Sequence, residues 1–194
     1  MPQPKENERF TYADYLAQGE NSERMEIING EVFMISGPTP EHQRISGRLY
    51  RQISEFLDGK SCEVFYSPFD VRLFEKDGDS PENVDTVVQP DLFVVCEKNK
   101  FDNHGYKGAP RFIIEILSPS THRHDSFVKL NLYLRAGVPE YWIVDPEGKT
   151  VNVCLLGNDG TYNISKPYNK NDTVKVNTLE GCFIELSKVF SDIE

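Results

Sequence analysis

The sequence predicts one domain of mixed α/β architecture, in which helices flank a central mixed β-sheet. The chain of 194 residues is long enough to bury a substantial core. Short apolar runs that are typical of strands occur on both sides of a segment with helical apolar spacing. No repeat or low-complexity segment divides the chain, and residues 1–194 are therefore assigned to a single domain.

The first predicted elements are a short helix and a β-hairpin. Residues 10–19 contain Thr11, which suits an N-cap, and stop at Gly19, a pattern typical of a short helix. The Asn29-Gly30 pair between two apolar runs indicates a hairpin with a two-residue turn. Because side chains alternate along a strand, this turn places Glu26 and Glu31 on the same face.

The next predicted element is an amphipathic helix of about four turns, which follows Pro40 and ends at Gly59. Its expected buried face consists of Ile45, Leu49, Ile53 and Phe56. Strands are then expected at about residues 62–75, 86–96 and 111–117. They are separated by an acidic loop and by a glycine- and proline-containing loop between residues 97 and 110.

The C-terminal half predicts a second amphipathic helix and further strands. The helix is expected over residues 125–135, before Gly137. Its expected buried face consists of Phe127, Leu130 and Leu134. Strands are expected over residues 138–145 and 150–156, joined by an Asp-Pro-Glu-Gly turn. Residues 157–194 are expected to form a β-rich extension of the same domain.

The four cysteines, at positions 62, 96, 154 and 182, are far apart in strand-like segments. They form no C-x-x-C pair, and the first residues of the chain lack the pattern of a signal peptide. The sequence therefore predicts buried free thiols in a cytoplasmic protein.

Two acids interrupt otherwise apolar strands. Glu115 lies in the run Phe-Ile-Ile-Glu-Ile-Leu, and Asp91 follows Pro90 at the start of Leu-Phe-Val-Val. A carboxylate is rarely buried unless it is paired, protonated or bound to a metal. For a single buried acid, pairing with an arginine or with loop amides is the commoner explanation. Several acids in one sheet favour a functional site.

These residues and their surroundings resemble a known family. The matching segments are Glu26-Ile-Ile-Asn-Gly-Glu31, Gln89-Pro-Asp91, Ile114-Glu-Ile-Leu-Ser-Pro-Ser120, Lys129 and Gly137-Val-Pro-Glu-Tyr-Trp-Ile-Val-Asp145. Together they look like the Uma-type restriction endonuclease family, formerly a domain of unknown function, over about residues 11–156. The resemblance implies a restriction-endonuclease-like core of the PD-(D/E)XK nuclease superfamily, with the hairpin as an N-terminal extension.

The resemblance also implies a metal-dependent endonuclease that hydrolyses DNA phosphodiester bonds. Asp91 and Glu115 match the two acids of the nuclease signature and are expected to bind Mg²⁺ or Mn²⁺, which prefer carboxylate oxygens. Glu31 is expected to add a ligand or to hold metal-bound water. Contacts that support the ligands are expected from Glu26, His42 and Tyr133, although a histidine at a helix start is more often structural.

The sequence departs from the signature at Leu117, where the signature has lysine. Lys129 is the expected replacement, because the family resemblance favours it and because it forms a polar helix stripe with Asp125 and Tyr133. Taken alone, Lys129 would be interpreted as an ordinary solvated helix lysine. A lysine beside the two carboxylates can position the attacking water and offset charge in the transition state.

The net charge of −10 excludes a general electrostatic attraction to DNA or to an anionic membrane. DNA must then be bound locally, and residues 98–135 carry seven Lys and Arg against three Asp and Glu. The candidate DNA-binding residues are Arg44, Arg48, Arg51 and Arg123. No apolar run is long enough to span a membrane. A homodimer is expected, because two-fold symmetry suits cleavage of both strands.

Two other functions are compatible with the sequence. A nucleic-acid-binding or interaction module that does not cleave could use the same fold, given the acidic charge and the displaced lysine. A glycosidase-like pair of carboxylates is ranked last, because it gives no role to Lys129 or to the Pro90-Asp91 segment. A requirement for Mg²⁺ distinguishes the nuclease from the binding module.

Overall fold

This computed structural model describes residues 9–19, 23–118 and 124–193, apart from the side chains of residues 124–126. The described residues fall into two compact units. The first unit lies within Met1–Gly37, Phe69–Gln89 and Asn99–Ala109, and the second within Pro38–Pro68, Pro90–Lys98 and Pro110–Glu194. The single domain expected from the sequence stays a prediction.

The helices are α1 (Tyr12–Ala17), α2 (Pro40–Leu57), α3 (Leu130–Ala136) and α4 (Leu186–Val189). The strands are β1 (Met25–Ile28), β2 (Glu31–Met34), β3 (Glu63–Tyr66), β4 (Val71–Arg72), β5 (Leu92–Val95), β6 (Phe101–Asp102), β7 (Gly105–Lys107), β8 (Phe112–Ile116), β9 (Glu140–Asp145), β10 (Thr150–Leu156), β11 (Tyr162–Ile164), β12 (Tyr168–Asn169), β13 (Thr173–Lys175) and β14 (Phe183–Glu185). A π-helical segment, His124–Lys129, leads directly into α3.

The second unit contains the central sheet, in which the strand order is β11-β10-β9-β8-β5-β3 and β12 pairs with β10. β8 and β9 are parallel, whereas the other neighbours are antiparallel. Parallel neighbours need a crossover connection, and the π-helical segment with α3 lies between β8 and β9 in the chain. β5 and β8 are buried along their whole length, which is typical of strands covered on both faces.

Helix α2 contributes its apolar face to the main core of the second unit. Its buried residues are Ile45, Leu49, Ile53 and Leu57. They share a cluster with Ile114 and Trp142 of the sheet and with Ile184 and Val189 of the C-terminal segment. The expected face is confirmed except at Phe56, which is only half-buried.

The first unit contains the predicted hairpin and a small three-stranded sheet. β1 and β2 pair with Ile28 opposite Glu31, as the sequence predicts. Asn29 and Gly30 have φ angles of 53° and 82°, which a two-residue turn with left-handed backbone requires. The order of the other sheet is β4-β7-β6. Residues from α1, β1 and the segment before Gln89 share one apolar cluster: Tyr12, Ile27, Val84 and Val87.

Several strand predictions need correction. The segment expected to be one strand at 62–75 forms β3 in the second unit and β4 in the first. Of residues 86–96, only Leu92–Val95 form a named strand, since Pro90 interrupts the segment. The expected loop between residues 97 and 110 contains β6 and β7.

The expected buried face of the helix before Gly137 is wrong at Phe127, whereas Leu130 and Leu134 are half-buried. Residues His124–Lys129 are π-helical, and the α-helix begins only at Leu130. A π-helical turn contains more residues than an α-helical turn and therefore rotates the faces of the helix. Phe127, which was expected to be buried, is 69% exposed, whereas Leu132 and Tyr133 are buried.

Two of the four predicted free thiols form a disulfide instead. Cys62 and Cys96 are bonded and directly flank the antiparallel pair of Glu63 and Val95. Their spacing of 34 residues gives no sign of this pairing in the sequence. Cys154 and Cys182 are buried and free, as expected. Burial raises the pKa of Cys154 to about 12 and contributes most to the rise of the Cys182 pKa to about 11, so both thiols are protonated at neutral pH.

Glu140 is a buried acid whose hydrogen bonds explain its burial. Its carboxylate accepts hydrogen bonds from Trp142 Nε1 at 2.8 Å and from Asn177 N at 3.1 Å. It also accepts bonds from Thr178 N at 2.7 Å and from Thr178 Oγ1 at 2.9 Å. These bonds compensate for lost hydration and join β9 to the connection between β13 and β14.

We expect Glu140→Ala to lower the free energy of unfolding by about 3 kcal/mol, because several buried donors lose their acceptor. Urea unfolding followed by tryptophan fluorescence measures this change. Glu147→Ala, in the exposed turn after β9, is the matched control and should change stability by less than about 0.5 kcal/mol. A loss for Glu140→Ala as small as that of the control would contradict the assigned role.

Candidate active site

Asp91 and Glu115 lie opposite each other on neighbouring strands of the second unit. β5 and β8 pair with Leu92 opposite Ile114, and in an antiparallel pair this register places Asp91 opposite Glu115. The Glu115 side chain is 3% exposed and the Asp91 side chain is 19% exposed. The two carboxyl groups predicted from the sequence are therefore brought together, one of them in partial contact with solvent.

The Asp91 carboxylate is fixed by a backbone amide and by a histidine. Its Oδ2 accepts a hydrogen bond from Ile116 N at 2.8 Å and lies 3.0 Å from His42 Nε2. His42 stands in the first turn of α2, where its backbone amide donates to the N-cap Thr39 at 3.2 Å. The start of α2 thus brings the imidazole to Asp91.

The Glu115 carboxylate has different partners on its two oxygens. Oε1 accepts hydrogen bonds from Lys129 Nζ at 2.8 Å and from Tyr133 OH at 2.6 Å. Oε2 accepts a longer bond from Asp91 N at 3.4 Å. The tyrosine ring also packs edge-on against Tyr141, with centroids 5.0 Å apart. Oε1 of Glu115 is therefore hydrogen-bonded to side chains of the π-helical segment and of α3, while Oε2 lies on the side of Asp91.

Lys129 reaches Glu115 because of its place in the helix. It is the last residue of the π-helical segment, and Tyr133 follows four residues later, so both side chains lie on one face. Lys129 and Glu115 are both buried, and each compensates the charge of the other. Lys129, the expected replacement for the missing signature lysine, is thus in direct contact with Glu115.

The donor chemistry of this site fits a hard divalent cation. Mg²⁺ in proteins is commonly held by one or two carboxylates together with water and substrate phosphate. Among the described residues, no group of three or more His, Cys, Asp or Glu side chains is arranged to hold a metal ion. Asp91 and Glu115 are the two carboxylates of this site that would hold such an ion.

Glu26 and Glu31 belong to the first unit. Glu26 is buried, and its Oε1 accepts a hydrogen bond from Gln89 N at 2.8 Å. Glu31 is exposed at the start of β2. Glu26 thus has a structural partner within its own unit, and the roles of both acids in the site stay predictions.

The predicted DNA-binding arginines have different environments. Arg44 and Arg51 are exposed on α2. Arg48 is directed to the C-terminal segment, where it donates to the backbone oxygens of Val189 and Ser191. Arg123 lies outside the described residues. Arg44 and Arg51 are therefore the arginines of α2 that are open to an anionic ligand.

The backbone donors of the site could not be recognised in the sequence. The amides of Ile116 and Asp91 bond to the two carboxylates, and these contacts depend on the register between β5 and β8. Two apolar strands predict a buried sheet, but strands that are buried on both faces lack the alternation that specifies register.

The fold is a nuclease-like fold. It is similar to the crystal structure of a putative nuclease belonging to DUF820 from Anabaena variabilis ATCC 29413, with a TM-score of 0.73. The alignment covers 94% of this chain and 98% of that chain at 19% sequence identity. This likeness confirms the predicted fold class, in which helices flank a mixed central sheet.

Sequence comparison gives the family. The model of the Uma2 family, described as "Putative restriction endonuclease", matches residues 12–187. Because the match spans most of the chain, the protein belongs to the Uma2 family. The resemblance stated for about residues 11–156 is confirmed, and the family match extends further toward the C-terminus.

Two relatives from Synechocystis sp. (strain PCC 6803) match most of the chain. The uncharacterized protein sll1609 is 30% identical over 140 residues, which are 70% of this chain and 75% of the relative. The uncharacterized protein slr1290 is 24% identical over 158 residues, which are 81% of this chain and 78% of the relative. In the part of the chain that the structure describes, no helix is long and apolar enough to cross a bilayer.

We expect Lys129→Met to destabilise the protein by about 3 kcal/mol, because it leaves the buried Glu115 carboxylate without its counter-charge. The double variant Glu115→Gln with Lys129→Met should recover most of that loss, since it removes both charges. Urea unfolding of the wild type, the single variants and the double variant measures the coupling energy. Additive losses in this cycle would show that the two charges do not stabilise each other.

Proposed function

We propose that this protein is a Mg²⁺- or Mn²⁺-dependent endonuclease that hydrolyses DNA phosphodiester bonds. The observation that supports this proposal most strongly is the convergence of Asp91, Glu115 and Lys129 on one end of the sheet. Membership of a family described as restriction endonucleases supports the same reaction class.

Asp91 and Glu115 would hold the divalent ion through their carboxylate oxygens. When bound, such an ion neutralises charge on the phosphate oxygens and activates water. Asp91 Oδ2 is fixed by Ile116 N and His42 Nε2. This arrangement limits rotation of the carboxylate and so orients it before an ion binds.

Lys129 would act on the water and on the charge of the transition state. Its ammonium group lies 2.8 Å from Glu115 Oε1, which places a positive charge beside the carboxylates where the water and a phosphate oxygen would bind. Hydrolysis places additional negative charge on the phosphate, and a fixed positive charge in a buried site stabilises that charge strongly. Lys129 on the helix would therefore perform the role that the signature lysine has on the strand.

The DNA would be held by exposed cations near this site. Arg44 and Arg51 lie two helical turns apart on α2, the same helix that brings His42 to Asp91. Because the whole chain carries a charge of −10, binding should be local and should weaken steeply as salt rises. A homodimer and a contribution of Arg123 to DNA binding belong to the same proposal.

The proposal predicts that Asp91→Asn and Glu115→Gln each lower cleavage by at least about 100-fold, because each removes a metal ligand charge while keeping the side-chain shape. Lys129→Ala should have a comparable effect. Nicking of supercoiled plasmid and of mixed-sequence duplex and single-stranded DNA, at low salt with Mg²⁺ or Mn²⁺, measures these rates. EDTA should abolish cleavage.

Glu147→Gln and Lys188→Ala are matched controls, because both residues have exposed side chains outside the site. Both controls should cleave at the wild-type rate. Wild-type protein that nicks DNA no faster than Asp91→Asn on every substrate would contradict the proposal. If that protein still bound DNA, the result would favour the non-cleaving binding module.

A further inference from the structure

An aromatic pair, formed by an exposed and a half-buried tyrosine, lies at the same end of the sheet as Asp91. Tyr66, the last residue of β3, is 57% exposed. Its ring meets that of Tyr50 on α2 edge-on, with centroids 5.0 Å apart. An edge-on contact orients one ring while leaving part of a ring face open, and Tyr66 belongs to an edge strand with no neighbour beyond it in the described sheet.

Strand pairing determines how near this pair is to the candidate active site. Tyr66 is opposite Leu92, which directly follows Asp91, and Ser67 N donates to Asp91 O at 3.1 Å. Opposed residues in a sheet are about 5 Å apart, and consecutive Cα atoms are about 3.8 Å apart. The Cα atom of Tyr66 is therefore within about 9 Å of that of Asp91.

Helix α2 connects the aromatic pair with the site and supplies positive charge. Tyr50 lies two turns after His42, whose imidazole contacts Asp91. Arg44 and Arg51 are exposed on the same helix.

Tyr66 is opposite Leu92, which packs with α2, so its ring lies on the α2 side of the sheet, the side from which His42 reaches Asp91. This side combines an open aromatic ring with cations, which is the combination that binds single-stranded nucleic acid by stacking and phosphate contacts.

We propose that Tyr66, supported by Tyr50, stacks on an unpaired base next to the scissile phosphate, so that the preferred substrate is DNA with unpaired nucleotides at the cleavage site. This inference rests on the proposed function. In a continuous duplex both faces of each base are covered by neighbouring pairs. A single strand, a frayed end or a mismatch offers an open base to the tyrosine ring.

The test compares binding of a single-stranded oligonucleotide and a blunt duplex of the same sequence, by fluorescence anisotropy with Ca²⁺ in place of Mg²⁺. Tyr66→Ala should weaken binding of the single strand by roughly fivefold to 150-fold, the range expected for loss of one base stack. Binding of the duplex should change by less than about twofold. Tyr66→Phe keeps the ring and should bind like the wild type.

A 2-aminopurine base in the single strand provides a second measurement. Its fluorescence should be quenched by the wild type and by Tyr66→Phe but not by Tyr66→Ala, because stacking quenches this base. Phe183→Ala is the matched control, since Phe183 is a 56% exposed aromatic residue on β14, and it should leave binding unchanged.

Equal single-strand binding by the wild type and Tyr66→Ala would overturn the stacking proposal, while cleavage by the wild type would leave the proposed function standing. Absence of both cleavage and DNA binding in the wild type would overturn both. Sedimentation distinguishes the remaining alternative. If Tyr66→Ala converted a dimer into a monomer, Tyr66 would be a subunit contact and the stacking proposal would be wrong.

Discussion

The burial of the Glu115 carboxylate is the constraint on which the candidate active site depends. A charged group in the middle of a buried strand requires partners, and Lys129 and Tyr133 supply them from the π-helical segment and α3. This requirement fixes the rotation of that helix against the sheet and leaves Phe127 exposed. It also leaves Glu115 Oε2 beside Asp91, and so the same contacts that stabilise the fold orient the two acids.

Glu115 and Glu140 show that a buried acid in an apolar strand does not by itself indicate whether its role is structural or catalytic. Both are almost fully buried in the central sheet. Glu140 is bonded to the indole of Trp142 and to the residues Asn177 and Thr178, and it joins two parts of the fold. Glu115 pairs with the buried ammonium group of Lys129, next to a second carboxylate that is partly exposed. Only the partners distinguish a structural acid from a candidate catalytic one.

Most of the fold could be predicted from local patterns, whereas features that depend on pairing could not. The Asn29-Gly30 turn specified the register of the hairpin, because few turns fit that pair. The exposure of Phe127 could not be predicted, since periodicity assumes a regular α-helix and the segment is π-helical. The bond between Cys62 and Cys96 required knowledge of strand register. Lys129 was found through the family resemblance, and its contact with Glu115 through the structure.

The central claim is that Asp91 and Glu115 together hold a divalent ion. Anomalous diffraction from crystals soaked in Mn²⁺ tests it most directly, because it locates the ion without depending on a DNA recognition sequence. The account predicts one anomalous peak within about 2.0–2.6 Å of a carboxylate oxygen of each residue, and no such peak in crystals of Asp91→Asn. Crystals with Mn²⁺ bound elsewhere and none between the two carboxylates would contradict the account.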